Sequence, residues 1–114
     1  MTIYHYCWRS EWEQGKDDTH YRHASLTSEG FIHGSRTGDQ LERVAREFFG
    51  GEPTEDLFLL TLDEEKLEPK VVDEDPGIGE LFPHLYGPIN LSAVTKIESV
   101  PRDAGQWIIP PLDD

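Results

Sequence analysis

Five histidines stand in a chain of 114 residues, and three of them occupy settings suited to chemistry. An imidazole can move a proton near neutral pH, donate to a ribose or phosphate oxygen, or ligate a metal. His5 lies in the run IYHYC, His33 in FIHGS and His84 in FPHLYGP. Pro83, Pro88 and Gly87 stiffen the last of these, so His84 and Tyr86 are presented together. Read as alternating strands, the segments group His5 with Ile3 and Cys7, His33 with Phe31 and Ser35, and His84 with Tyr86. The expectation is one cleft holding His5, His33, Ser35, His84 and Tyr86. Three titratable rings suit an ordinary core badly, because each ring nitrogen then needs a partner. Separate satisfaction of each ring by backbone carbonyls is the bland alternative, and a three-histidine metal centre is another. The HxxH of His20 and His23 is a weaker metal signal, with no acidic or thiolate ligand at fixed spacing. No specific metal is expected. Aromatic rings beside a histidine, Tyr21 and Tyr86 among them, would stack on a flat ligand.

The elements that must position these residues read as α+β. Residues 3–7 form a β-favouring strand. Ser10 and Glu13 make a capping box for a short helix that Gly15 stops. The GKDDTHYRH stretch is a polar connection, and residues 31–35 are a second strand. Residues 39–49 give the clearest element: Leu41, Val44, Ala45, Phe48 and Phe49 form the stripe of an amphipathic helix. Asp39 and Glu42 supply its start signal, and Gly50, Gly51 and Pro53 its stop. The stripe, Phe48 included, is expected to pack on a strand at 57–63 that is buried on both faces. Residues 70–73 and 93–100 are further strands, and PGIGEL at 76–81 is a turn. Residues 1–100 read as one domain. Residues 101–114 read as an extended proline-rich tail packed on it, with Trp107 as anchor.

Composition sets limits. Ten Lys and Arg against 23 Asp and Glu leave a net charge of −13, which disfavours docking on long nucleic acid. Residues 52–80 alone hold eleven carboxylates and two lysines and read as a solvated face, Glu74 and Glu80 included. A small anion would need Arg9, Arg22, Arg36 or Lys96 to reverse the field locally. Cys7 is the only cysteine, so no disulfide framework exists and a reducing, cytoplasmic setting is expected. The N-terminus lacks a signal-peptide pattern, and no apolar run is long enough to span a membrane. GxGxxG, P-loop, HExxH and GxSxG motifs are absent.

The order IYH, Trp12, SLTSEGFIHGS, Gln40, VAREFF, LFLLTLD and FPHLYGPI resembles the small family catalogued as domain of unknown function 952. That family is grouped by remote similarity with the ADP-ribosyltransferase superfamily, whose relatives include RNA phosphotransferases. The resemblance implies a small split β-sheet fold binding NAD or a related nucleotide between two sheets. By position, His5 matches the first-strand residue that holds ADP-ribose, and His33 with Ser35 the second-strand slot at the nicotinamide ribose. Tyr21 and Tyr86 would complete the contacts. The third slot, a glutamate in many members, falls at His84. A histidine can donate to ribose and carry a proton, but it offers no permanent negative charge. Glu74 or Glu80 is the alternative for that slot, although both lie in the acidic segment that reads as solvated.

Three readings follow. The first is a transferase or processing enzyme acting on a nucleotide small molecule or RNA end, with His5, His33 and His84 as the chemical residues. The second is a non-catalytic module that binds a nucleotide or a protein. The third is a three-histidine metalloenzyme.

Overall fold

Alternation of Ile3, His5 and Cys7 with Tyr4 and Tyr6 makes the first segment a strand between two cores. The computed structural model describes residues 1–112 and builds the strand that way; Asp113 and Asp114 of the expected tail lie outside the described residues. β1 (Thr2–Trp8) sends Ile3 and Cys7 into one apolar cluster and Tyr4 and Tyr6 into the other. It runs straight into α1 (Arg9–Gly15), which corrects the expected cap. Trp8, not Ser10, is the N-cap residue, and its N–H donates to Glu11 Oε1 across 2.7 Å. Ser10 instead donates its N–H and hydroxyl to the Glu55 carboxylate.

Within the polar connection lies a strand the local pattern did not announce, β2 (His20–Tyr21), followed by the single turn α2 (Ser25–Ser28). The second expected strand narrows to β3 (Ile32–His33). Beyond it, Ser35 and Tyr4 exchange two backbone hydrogen bonds of 2.8 Å, so the chain leaves one sheet and touches another.

α3 (Gly38–Phe48) starts one residue earlier than expected, because the Thr37 hydroxyl accepts from the Gln40 N–H. Leu41 and Ala45 are buried on its inner side, but Phe48 is 73% exposed. The expectation of a buried Phe48 is overturned. Phe49, where the backbone has left the helix, packs instead against Tyr6 and Trp8 at ring distances of 5.5 and 5.4 Å.

β4 (Leu57–Asp63) is buried on both faces as its apolar run implied: Leu60 and Leu62 enter the first cluster, Leu57 and Leu59 the second. A 3-10 turn (Glu64–Lys66) leads to β5 (Val71–Glu74), β6 (Phe82–Leu85) and β7 (Ile89–Asn90). A second 3-10 turn (Leu91–Ala93) enters β8 (Val94–Ser99). The tail is not simply extended. β9 (Arg102–Asp103) and β10 (Gln106–Trp107) form a hairpin whose turn places Ala104 and Gly105 at φ of 51° and 80°. Trp107 does anchor it, its indole N–H donating to Phe49 O across 2.7 Å.

The architecture is α+β, with three α-helices and several small antiparallel sheets among the described residues. One sheet runs β1-β4-β8, a second β3-β6-β5, and two-stranded pairs join β2 to β7 and β9 to β10. The first cluster fills the space between the two three-stranded sheets, where Ile32, Leu85 and Val71 meet Ile3, Leu60 and Leu62. The second lies under α3 and the hairpin. Among the described residues no helix is long and apolar enough to cross a membrane.

Candidate functional site

Antiparallel pairing sets His33 directly opposite His84, so both rings leave the same face of the β3-β6-β5 sheet, 5.6 Å apart. Strand parity adds Phe31 and Tyr86 to that face. Phe31 stacks on His84 with centroids 3.9 Å apart and planes 12° from parallel, and it meets the His33 ring edge-on at 4.9 Å. Tyr86 leans against Phe31 at 5.6 Å. The opposite face, carrying Ile32 and Leu85, is core. This alternation separates a histidine-bearing face from a core face within β6 and its extension.

A carboxylate completes the cluster. Nδ1 of His84 lies 2.8 Å from Glu74 Oε1, and the Tyr86 hydroxyl donates to the same oxygen. Glu74 is therefore not the merely solvated acid that its segment suggested. The bonds from Tyr86 and His84 hold its carboxyl below the usual range, and the same carboxylate raises the Tyr86 phenol above its own. With Nδ1–H committed to Glu74, a neutral His84 ring carries its lone pair on Nε2. Among the described residues no group bonds that nitrogen and no buried side-chain nitrogen or oxygen goes without a partner, so Nε2 keeps a small contact with solvent although the His84 side chain is only 6% exposed. His33, half exposed, pairs through Nε2 with Glu29 at 3.0 Å. The arrangement can accept and deliver a proton at Nε2 of His84, beside two aromatic rings and a carboxylate.

His5 is elsewhere. It points with Ile3 and Cys7 into the interior, where its Nδ1 donates to the His33 carbonyl at 2.7 Å and Nε2 faces the Tyr21 hydroxyl at 3.4 Å. Burial, and then the neighbouring His23, lower its pKa from 6.5 to about 4, so it is neutral at pH 7. His23 stands edge-on to it at 5.4 Å and pairs with Glu11 at 2.8 Å. Burial would raise Glu11, but bonds from His23 and the Trp8 N–H more than offset that and hold it low. Tyr21, fully buried, sits against Trp12 and His5. Burial pushes the Cys7 thiol up to about 12, which removes it as a nucleophile at neutral pH.

The structure thus brings His33, His84 and Tyr86 together and keeps His5 and Tyr21 on the inner side of β3. Ser35 is buried at the crossing to β1. His20 and His23 diverge, His20 toward Glu68 and His23 toward Glu11. Among the described residues no three His, Cys, Asp or Glu side chains stand close enough to hold a metal ion. Sequence reasoning weighed Glu74 only as a stand-in for the third slot and read it as solvated, and it missed Phe31 as the ring stacked on His84. The signal for Glu74 was its place two residues beyond Val72, the position paired with His84 across β5 and β6.

Cations are sparse around this face. Arg36 is held by Glu64 and Asp73, Arg22 by Asp17, Arg9 by Glu13 and Asp56, and Lys96 by Glu98. The four cations named for reversing the field are all paired locally. Lys70, whose carbonyl accepts from the Tyr86 N–H and whose charge acts on Glu74, forms no ion pair among the described residues.

A family model described as Protein of unknown function (DUF952) matches residues 6–97. The chain is similar to protein CC0527 of Caulobacter crescentus, whose crystal structure superposes with a TM-score of 0.79 at 33% identity, covering 95% of this chain and 94% of that one. The solution NMR structure of the same protein gives a TM-score of 0.74 at 33% identity, covering 93% and 90%. No curated protein gives a significant match.

Proposed function

Because the chain belongs to the DUF952 family, whose description carries no activity, we propose its function from the site: an ADP-ribosyltransferase-like protein that handles NAD or a related nucleotide at the Phe31, His33, Glu74, His84 and Tyr86 face. The observation that carries this reading is the Glu74–His84 bond, which leaves Nε2 of His84 open beside the aromatic rings. The residue slots implied by the resemblance asked for a glutamate near His84, and Glu74 brings one from the neighbouring strand. Two three-stranded sheets packed over a shared core also suit the split-sheet fold that the resemblance implies.

The residues present fit the nicotinamide-ribose end of such a ligand. Phe31 and Tyr86 offer flat surfaces, Glu74 accepts from ribose hydroxyls, and Lys70, which acts on Glu74 and forms no ion pair among the described residues, is the cation nearest this face for a phosphate. NAD, when bound, supplies a labile bond between ribose and nicotinamide. His84 Nε2 takes the proton of an acceptor hydroxyl, and Glu74 holds the imidazolium so formed. His5 acts from behind: its bond to the His33 carbonyl fixes β3 and so the position of the His33 ring.

A non-catalytic binding module is the second reading, favoured by the burial of the His84 ring, whose side chain is only 6% exposed. Two grooves of about 280 and 240 Å³ lie beside α3 and beside Trp8, and neither is lined by a histidine.

Calorimetric titration with NAD, ADP-ribose and nicotinamide mononucleotide tests the proposal. Saturable binding that His84→Ala and Glu74→Gln abolish supports it, and chromatography of the same mixtures separates turnover from binding alone. Absence of binding by all three ligands overturns it.

A further inference from the structure

The chain has six arginines, and four are tied to carboxylates: Arg9, Arg22, Arg36 and Arg43. Arg46 and Arg102 have no carboxylate within ion-pair distance among the described residues. In a molecule with 23 acidic residues and a net charge of −13, that is unexpected. Both line one groove, of about 280 Å³, between α3 and the β9–β10 hairpin. Glu42, Trp107, Gly105 and Ile109 line it with them.

Arg102 is held in place. Hairpin pairing sets it opposite Trp107, and its guanidinium carbon lies 4.4 Å from the indole centroid. Its Nη2 donates to the carbonyls of Gly105 and Gly51 at 2.8 and 3.2 Å. The indole is fixed in turn by its bond to Phe49 O. Neutral carbonyls and an aromatic face orient the cation without cancelling its charge. Nε and Nη1 of Arg102 donate to no group among the described residues. A guanidinium that is rigid, partly shielded from solvent and not neutralised has the properties of an oxyanion receptor. Arg46, from the last turn of α3, adds a second guanidinium on the other wall.

We propose that this groove is a binding site for a small oxyanion-bearing molecule, a phosphate monoester or a hydroxycarboxylate, held between Arg46 and Arg102. Glu42 stands one helical turn before Arg46 and forms no ion pair with either arginine. It accepts a hydrogen bond from the ligand, which selects a molecule carrying a hydroxyl beside its anionic group. The volume is that of a small metabolite rather than a peptide or a dinucleotide. This site is separate from the histidine face and does not depend on the function proposed there.

Titration of the full chain by amide and indole NMR decides the matter, with glycerol phosphate and malate as probes and sodium chloride at matched ionic strength as control. The expected result is saturable shifts at the Trp107 indole N–H and the Gly105 and Gly50 amides with at least one probe and none with chloride. Whichever probe binds identifies the oxyanion class. Arg46 is exposed on its helix, so Arg46→Gln leaves the fold intact and weakens binding by about tenfold or more. Arg102→Gln abolishes binding but also loosens the hairpin, so the Arg46 variant carries the decision. Shifts that fail to saturate, that chloride reproduces, or that Arg46→Gln leaves unchanged overturn the proposal.

Discussion

Nδ1 of His5 and the carbonyl oxygen of His33 lie 2.7 Å apart, and that bond ties β1 to the outer edge of the β3-β6-β5 sheet. β3 is an edge strand of only two residues, so a side chain from a different sheet supplies the donor that no neighbouring strand offers. The ring that donates is neutral at pH 7, although an imidazolium would donate equally well. Burial sets that charge state, lowering the His5 pKa to about 4 against the bond to the His33 carbonyl, which favours the proton.

A pH dependence of stability follows. The unfolded chain holds a proton on His5 below about pH 6.5, whereas the folded chain refuses it until about pH 4. Protons therefore favour the unfolded state across that window. The contribution of His5 is complete above pH 6.5 and is lost as the pH falls toward 4, by of order 3 kcal/mol. Denaturant unfolding near neutral pH and again at about pH 4.5 measures it, with His5→Gln for comparison. Wild type loses more stability over this range than the variant does. Equal losses would show that His5 is solvated in the folded state.

The bond between Tyr86 and Glu74 has its own signature. Ionising Tyr86 would set a phenolate against a carboxylate and break their hydrogen bond, so its phenol titrates above its ordinary range. Glu74→Gln removes the charge and returns Tyr86 toward the ordinary value. NMR of specifically labelled tyrosine follows the ring directly. A Tyr86 titration unmoved by Glu74→Gln would show that the two groups do not meet in solution, and the carboxylate would be lost from the candidate site.

Elements with a local pattern were legible in the sequence. The buried run at 57–63 became β4, and strand parity alone grouped Phe31 with His33 and His84 with Tyr86. What the pattern did not show is created by partners distant in sequence. β2 exists because His20 and Tyr21 pair with Asn90 and Ile89, and nothing in GKDDTHYRH marks it. Glu74 looks like its acidic neighbours until β5 and β6 pair and bring it to His84. His5 shared the parity of a site residue, but that face of β1 turns inward, and parity says nothing about which side of a sheet a second sheet will cover. The ionic state of the arginines was equally hidden, since Arg36 finds Glu64 and Asp73 only across the fold.

Helix α3 gives the sharpest contrast between pattern and packing. Leu41 and Phe48 belong to one periodic stripe, yet Leu41 is fully buried and Phe48 is 73% exposed. Leu41→Ala is expected to cost about 2–5 kcal/mol, through lost burial and the cavity left behind. Phe48→Ala is expected to stay within about 0.5 kcal/mol of wild type. Thermal or denaturant unfolding of the two variants checks both. A cost for Phe48→Ala near that of Leu41→Ala would mean that Phe48 is covered in solution.

Gly34 is where the chain crosses from β3 to its contact with β1, and the crossing leaves no room for a side chain. A Cβ there would stand 2.9 Å from Ile3 Cγ2 and 3.1 Å from Pro83 O, while the Gly34 N–H donates to that same Pro83 oxygen at 3.0 Å. The backbone carbonyl cannot yield without losing its bond, so Gly34→Ala is expected to cost about 1–3 kcal/mol by overpacking. Gly30 presents the opposite case. Its φ is 90° and nothing lies within 4 Å of its Cβ position, so Gly30→Ala costs about 1 kcal/mol through backbone strain alone. Asparagine separates the two causes, because it tolerates a left-handed backbone but is larger than alanine. At position 30, asparagine recovers part of the loss that alanine causes; at position 34 it is worse than alanine. Gly34→Ala also displaces His33 from His84, which weakens the nuclear Overhauser contacts between their rings, whereas Gly30→Asn leaves them in place. Equal tolerance of alanine at both positions, with those contacts intact, would mean that the crossing is looser than the 2.9 Å approach requires.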